Sequence, residues 1–275
     1  MSKRTYTDDE LIVRVWDVEE IKKLANKRVY YQANGWRERE LDELWTAQHK
    51  DTASYGANTG FYVGLDSVRK WYVGAAATGD GVLFQHPIST GLVELAGDGQ
   101  TAKGLWYCIG QETVPGKAMW VTGKVAMDFV KEGDSWKIWH VVEANDLSGE
   151  AGARYSDGTP YWEPENDPIV KAFGTPDVAE LTHDPNFNWW DNYPAMPEPY
   201  DTWSDGISYG PEGFKPAHNK GLGAKEGRNY KCASCLCISA SSTPPPARRW
   251  RTSRPGTPTT TAGRTPPASG PTSGP

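Results

Sequence analysis

No stretch of the 275-residue chain approaches the roughly 18 consecutive apolar residues of a membrane-spanning helix, so a membrane partner is not expected. The start, Met1 to Glu10, is charged and lacks the apolar core of a secretory signal, and a cytoplasmic protein is the expectation. Cysteine is too sparse for a disulfide framework: there are four, and three of them crowd into Cys232, Cys235 and Cys237. That Cys-x-x-Cys-x-Cys run has no second half, so zinc is not expected and no metal site is assigned. Cys108 stands alone in an apolar run and reads as a buried small hydrophobe. A phosphate-binding loop, a dinucleotide fingerprint and a Ser-centred nucleophile elbow are all missing, and no cofactor is expected.

Acidic residues are missing after Glu226, where seven basic ones remain. Setting those aside leaves 22 positive against 35 negative charges for residues 1–226, a net of −13 concealed behind the overall −6. A body this acidic does not suit a nucleic-acid partner. Phenylalanine is scarce too, with six against thirteen Trp and thirteen Tyr. Trp and Tyr combine large apolar area with a polar tip, which suits a wet pocket or an interface better than a plain core.

What is present begins with a helix from Asp17 to about Asn34, capped by Asp17, with Ile21, Leu24, Arg28 and Tyr31 on one stripe and Gly35 ending it. Arg37 to about Gln48 reads as a second helix with Leu41, Leu44 and Trp45 inward. Thr52–Gly64 reads as a small hairpin or irregular strands, and Leu65–Ala76 as a third helix. The period then changes to two. His86–Leu95, Thr101–Glu112, Met119–Val130 and Trp136–Glu143 read as four antiparallel strands in a meander, with turns at Gly97-Asp98-Gly99 and Glu132-Gly133-Asp134. His86, Ile88 and Leu92 share an inner face, as do Trp136, Ile138, His140 and Val142. The expectation is an α+β domain over residues 1–146, with three helices packed on a curved antiparallel sheet and a pocket on its concave side. Residues 147–230 are rich in Pro, Gly, Trp and Tyr and read as an extended, ordered arm laid over the domain or a neighbouring subunit. Residues 231–275 turn abruptly to Ser, Thr, Pro, Ala and Arg. They read as a disordered tail, and the abruptness raises the hypothesis of a reading-frame error that sequencing the alternative frame would test.

Helix Ile21–Tyr31, the segment Leu41-Asp42-Glu43-Leu44-Trp45, the helix start Gly64-Leu65-Asp66-Ser67-Val68, and the ending Asp128-Phe129-Val130 … Trp136-Lys137-Ile138-Trp139-His140 together resemble the nuclear transport factor 2-like superfamily, in its SnoaL-like branch. The resemblance covers residues 15–146. It implies a cone-shaped α+β barrel with a deep pocket, a homodimer or homotrimer, and acid–base enzymes that need no cofactor. Family members include bile-acid dehydratases and γ-formaldehyde lyases of lignin-derived diaryl compounds, as well as isomerases, cyclases and non-catalytic binding modules. Fold alone does not choose among them.

The dehydratase members use a Tyr late in the first helix and a His opening the long sheet. Tyr31 (or its neighbour Tyr30) and His86 match those positions, and His140 matches a place where relatives carry a basic residue aimed into the cavity. A neutral His suits a base near neutral pH, and a Tyr hydroxyl suits a developing oxyanion. Glu112 is an outside candidate. Trp45, His49, Tyr55, Trp71, Tyr107 and Trp120 are the candidate substrate-binding residues, a set suited to stacking on a flat ring. One departure stands out: after the first helix, where relatives often carry an Asp, this chain has Asn34, Gly35 and Trp36. The expected function is a cofactor-independent lyase or dehydratase acting on an aromatic or polycyclic small molecule. The alternatives are an isomerase or cyclase in the same pocket, or a binding and assembly module.

Overall fold

The computed structural model describes residues 5–58, 60–74, 82–114, 117–150, 174–178 and 194–214. Helix α1 runs from Asp8 to Ala33 and starts at a capping box, in which Thr7 accepts from the Glu10 amide and Glu10 accepts from the Thr7 amide. The expected start at Asp17 is therefore corrected. Residues 11–16 include Leu11, Ile12, Val13, Val15 and Trp16, all exposed, so this first part of the helix has no buried stripe for periodicity to detect. Asp17 is no cap: it is buried mid-helix and takes hydrogen bonds from Trp136 Nε1 and Lys131 Nζ, both at 2.9 Å. The buried stripe of α1 is Ile21, Leu24, Ala25, Arg28, Tyr31 and Gln32.

Helix α2, Arg37–Leu44, stops short of the expected Gln48 because Trp45 bridges to Ile138 and the Thr46 amide bonds the Ile138 carbonyl. Strands β1 (Ser54–Ala57) and β2 (Gly60–Val63) form the expected hairpin, followed by α3, Leu65–Gly74. Then come β3 (Phe84–Gln85), β4 (Ile88–Leu95), β5 (Thr101–Val114), β6 (Lys117–Glu132) and β7 (Ser135–Glu150). Strands β4 to β7 make the antiparallel meander read from the sequence. The order across the sheet is β2-β1-β7-β6-β5, with both β3 and β4 on the far side of β5. The sheet is unclosed and mixed, because β1 runs parallel to β7. Strand β7 continues past the expected boundary at residue 146 to Glu150.

One irregularity decides which side chains face the helices. Phe129 pairs with Ile138 and Asp128 with His140, so Trp139 is an extra residue in β7. A bulge of this kind reverses the alternation beyond it. Trp136, Ile138 and Val141 belong to the core under the helices, with Trp106, Cys108, Val125, Met127 and Phe129. Val142 belongs to a second cluster on the outer face, with Phe61, Leu105, Ala126 and Tyr209. The expectation that Trp136, Ile138, His140 and Val142 share one face is corrected accordingly.

Residues 174–178 and 194–214 lie on the domain. Phe61 and Val178 exchange backbone hydrogen bonds, the amides of Gly97 and Asp98 bond the carbonyls of Tyr200 and Asp201, and the Tyr209 amide bonds Asp128. The rest of the arm, and the tail 231–275 with its suspected frame error, lie outside the described residues.

Candidate active site

The helix side of the sheet holds a buried charged cluster. Arg28 extends the apolar stripe of α1, is 1 % exposed, and donates from Nη2 to Glu143 at 2.7 Å and to the Tyr55 hydroxyl at 3.3 Å. Its Nε lies 3.3 Å from Glu40, which also accepts from the Tyr72 hydroxyl (2.7 Å) and from Trp45 Nε1 (3.2 Å). Helices α1 and α2 and strands β1 and β7 thus each contribute one polar group to a water-poor volume, where charges survive only in pairs. Burial alone would push the Glu143 carboxyl upward; Arg28, with help from His86 and hydrogen bonds from Arg28 and Tyr55, overcomes it and brings the group down to about 2. For Glu40 burial prevails over Arg28 and the carboxyl is raised. Burial also holds the Tyr55 and Tyr72 hydroxyls protonated, far above the ordinary phenol range.

His86 sits between β3 and β4, is 5 % exposed, and packs tilted against Phe84 with ring centroids 4.1 Å apart. Its Nε2 lies 2.7 Å from Glu112 Oε1, though out of line for a hydrogen bond. Gly110 makes room for it: a Cβ there would fall 2.4 Å from the imidazole Cδ2. Cys108 belongs to the same neighbourhood, and burial together with Glu143 drives its thiol up to about 12, so it is an inert hydrophobe, as read from the sequence. An aromatic group completes the surroundings. Tyr62 stacks on Trp71 at 4.7 Å, and Tyr55 lies 4.8 Å from Trp71 and 5.0 Å from Tyr72.

Of the residues singled out from the sequence, the structure brings together His86, Glu112, Tyr55, Trp71 and Trp45. It does not bring Tyr31 or His140 to them. The Tyr31 hydroxyl bonds Glu43 at 2.6 Å and its ring meets Trp36 and Arg39, at the outer seam of α1 and α2. Tyr31 lies only about 60° round the helix from Arg28, on the edge of the buried stripe nearest α2, and there its hydroxyl is taken up by Glu43. His140 is turned to the outer face by the bulge at Trp139. There it is 1 % exposed, bonds Ser54 Oγ at 2.8 Å, and stacks with Trp139 and Trp203. Burial, then Lys103 and His49, lower its pKa to about 3, so it stays neutral. His49 packs on Trp139 in the same outer stack. Tyr107 (53 % exposed) and Trp120 (41 %) also point outward, because Trp106 and Cys108 take the inward positions of β5 and Trp120 is paired with Gln111.

The residues that sequence reading missed are Arg28, as a functional group rather than stripe filler, and Glu40, Tyr72 and Glu143. A charged residue inside an apolar helical stripe was the available signal for Arg28. Glu143 is inward only because of the bulge, which no pattern announced. Among the described residues no group of three His, Cys, Asp or Glu side chains could hold a metal, and no helix is long and apolar enough to cross a membrane.

A model of the SnoaL-like domain matches residues 13–142. No curated protein sequence matches the chain. Among solved structures the chain is similar to a scytalone dehydratase-like protein of Novosphingobium aromaticivorans DSM 12444, with 14 % identity and a TM-score of 0.42 over 51 % of this chain and 91 % of that one. It is similar to hexachlorocyclohexane dehydrochlorinase LinA-type3 of Novosphingobium barchaimii LL02, with 12 % identity and a TM-score of 0.42 over 51 % and 94 %. It is similar also to a nuclear transport factor 2-like protein of Salmonella enterica, with 14 % identity and a TM-score of 0.42 over 54 % and 99 %.

Proposed function

We propose that the buried cluster under the helices, within the residues 13–142 that match a SnoaL-like domain, is the active site of a cofactor-independent lyase or dehydratase for an aromatic or polycyclic small molecule. The observation that carries this reading is the pairing of His86 with Glu112 at 2.7 Å beside the Glu143–Arg28–Tyr55 group. In this reading His86 is the base. Glu112 orients the imidazole and stabilises the imidazolium that forms when it takes a carbon-bound proton. The electron pair of that C–H bond forms the new double bond, and the leaving hydroxyl departs as water with the proton returned by the imidazolium. Tyr55, kept protonated by burial and donating to Glu143 in this structure, turns its one O–H from Glu143 to the oxygen on which charge develops. It takes the role expected of Tyr31, and the carboxylates Glu112 and Glu143 stand in for the Asp missing after the first helix. The rings of Tyr62, Trp71 and Tyr72 suit a flat substrate.

The test is a pH–rate profile of wild type against His86→Ala on a panel of hydroxylated aryl substrates. The reading expects turnover in the wild type with a limb set by one basic group, and a loss of about 10²- to 10⁴-fold with that limb gone in the variant. Unchanged turnover in His86→Ala would remove His86 from the mechanism.

A further inference from the structure

Among the described residues six buried side-chain polar atoms lack a hydrogen-bond partner. Five of them belong to Arg28, Gln32, Arg37 and His86, at the end of the interior where α1, the start of α2 and β3 meet. Arg28 Nε and His86 Nε2 at least have carboxylates beside them, Glu40 and Glu112. Gln32 and Arg37 do not. Gln32 is 2 % exposed, and neither end of its carboxamide is bonded. It stands one turn beyond Arg28 on the buried stripe of α1, the helix that packs on β3. Arg37 is 6 % exposed. Its Nη1 donates to the Tyr72 carbonyl at 2.8 Å, its Nε is unbonded, and no carboxylate of the described residues lies within 4.0 Å of it. Its guanidinium lies 4.7 Å from the centre of the Tyr72 ring and 4.6 Å from that of Phe84, whose own ring packs tilted against His86.

A buried guanidinium with no carboxylate bonded to it is unusual, because interior charges are normally paired; Glu40 is near enough to feel the charge of Arg37, but its oxygens are taken by Arg28, Tyr72 and Trp45. So is a buried carboxamide that bonds nothing, since each unmet donor or acceptor forfeits its hydration. Two such groups at one end of the interior describe a seat whose occupant brings the missing partners. An occupant that accepts hydrogen bonds from Arg37 Nε and the Gln32 amide meets both, and an anionic one also answers the guanidinium's charge. A planar carboxylate fits the edge of a guanidinium. A doubly charged phosphate is disfavoured, because Glu40, Glu112 and Glu143 line the same interior. The flanking rings of Phe84 and Tyr72 place an aromatic body behind the carboxylate.

We propose that Arg37 and Gln32 seat the carboxylate of the ligand, so that the site takes aryl carboxylic acids, with the reacting carbon held toward His86. The assignment rests on the reading of this interior as a ligand site, but it is tested by binding without turnover. Calorimetric titration of the full chain at pH 7 with benzoate and cinnamate is compared with titration by their methyl esters. The acids are expected to bind at least tenfold more tightly than the esters. Arg37→Gln should erase that preference, Gln32→Leu should weaken acid binding severalfold, and Arg37→Lys, which keeps the charge and a donor, should retain part of the preference. Binding is read without turnover, so a lost preference in Arg37→Gln is distinguishable from a failure of the chemistry assigned to His86. Equal affinity for acid and ester in the wild type, no binding of the acids, or an undiminished preference in a folded Arg37→Gln variant would each overturn the proposal.

Discussion

The two faces of the sheet each bury charge, and they do so differently. On the outer face, under residues 194–214, Lys103 meets Asp128 at 2.8 Å and also donates to the Ile207 carbonyl. Asp128 further accepts from the Tyr209 amide at 2.6 Å and from Ser208 at 3.3 Å. Beside them His140 and Ser54 satisfy one another. Apart from Trp203 Nε1, this network has its partners. Burial raises Asp128 and lowers Lys103, each opposed by the other, as expected of a pair held for structure. On the helix face the ion pairs of Arg28 are equally deep, but around them lie the orphaned atoms of Gln32, Arg37 and His86. A completed network fastens the chain to itself. An uncompleted one, lined with aromatic rings, is the basis of the ligand site proposed above.

The comparison can be broken in several places. The largest effect on stability is expected from Asp128→Ala, which leaves Lys103 buried without its partner and releases Ser208 and Tyr209. Chemical denaturation should show a loss of about 3–5 kcal/mol, with turnover per folded molecule little changed. His86→Ala should do the reverse, costing at least a hundredfold in turnover per folded molecule with a smaller drop in the denaturation midpoint than Asp128→Ala, because it removes a buried ring but strands no buried ion-pair partner. His140→Gln sharpens the contrast through pH. Above about pH 6.5 His140 is neutral in both folded and unfolded chains. Below that the unfolded chain takes up a proton that the native state, with its pKa of about 3, refuses. Lys103, His49 and Ser54 face this ring, and none of them welcomes its charge. Stability should therefore fall by about 1.4 kcal/mol per pH unit from this group between pH 6.5 and 3, and His140→Gln should flatten that part of a stability–pH curve. Glu143 has the opposite history: its depressed pKa stabilises the fold above the ordinary carboxylate range, and that contribution is lost as pH falls from about 4.5 to 2. The smallest effect belongs to Tyr31→Phe, which removes one bond to Glu43 at the seam of α1 and α2. No change in turnover is expected in the same substrate assay.

Much of the fold was legible in the sequence because it is written in periods. The stripe Ile21, Leu24, Ala25, Arg28 follows the helical repeat, and the change to alternation after His86 marks the meander. The early part of α1 was not legible as a helix because Leu11 to Trp16 bury nothing, although the Thr7–Glu10 capping box was there to be read. The site was only half legible. His86 is buried, as the alternation has it, but Leu92, expected on the same inner face, is exposed because β4 shifts register between Ser89 and Leu92. His140 was placed on the wrong face because a single extra residue, Trp139, reverses the parity of β7, and a bulge has no compositional mark there. The same bulge carries Glu143 inward, so one irregularity turned His140 from the cluster and brought Glu143 to Arg28. Tyr31 is on the buried stripe, as read, but its hydroxyl meets Glu43 on α2 instead of the charged cluster. The stripe is wide, and the inward and seam-facing edges of it differ only in what α2 packs against.

The central claim is that chemistry belongs to the helix face and fastening to the outer face. It is tested most directly by measuring turnover of one responsive aryl substrate by two variants side by side, His86→Ala and His140→Gln, each confirmed folded by its denaturation midpoint. The account predicts that His86→Ala loses at least a hundredfold in kcat while His140→Gln keeps the wild-type rate at pH 7.5. Retained activity in His86→Ala together with lost activity in His140→Gln would contradict it and move the active site to the other side of the sheet.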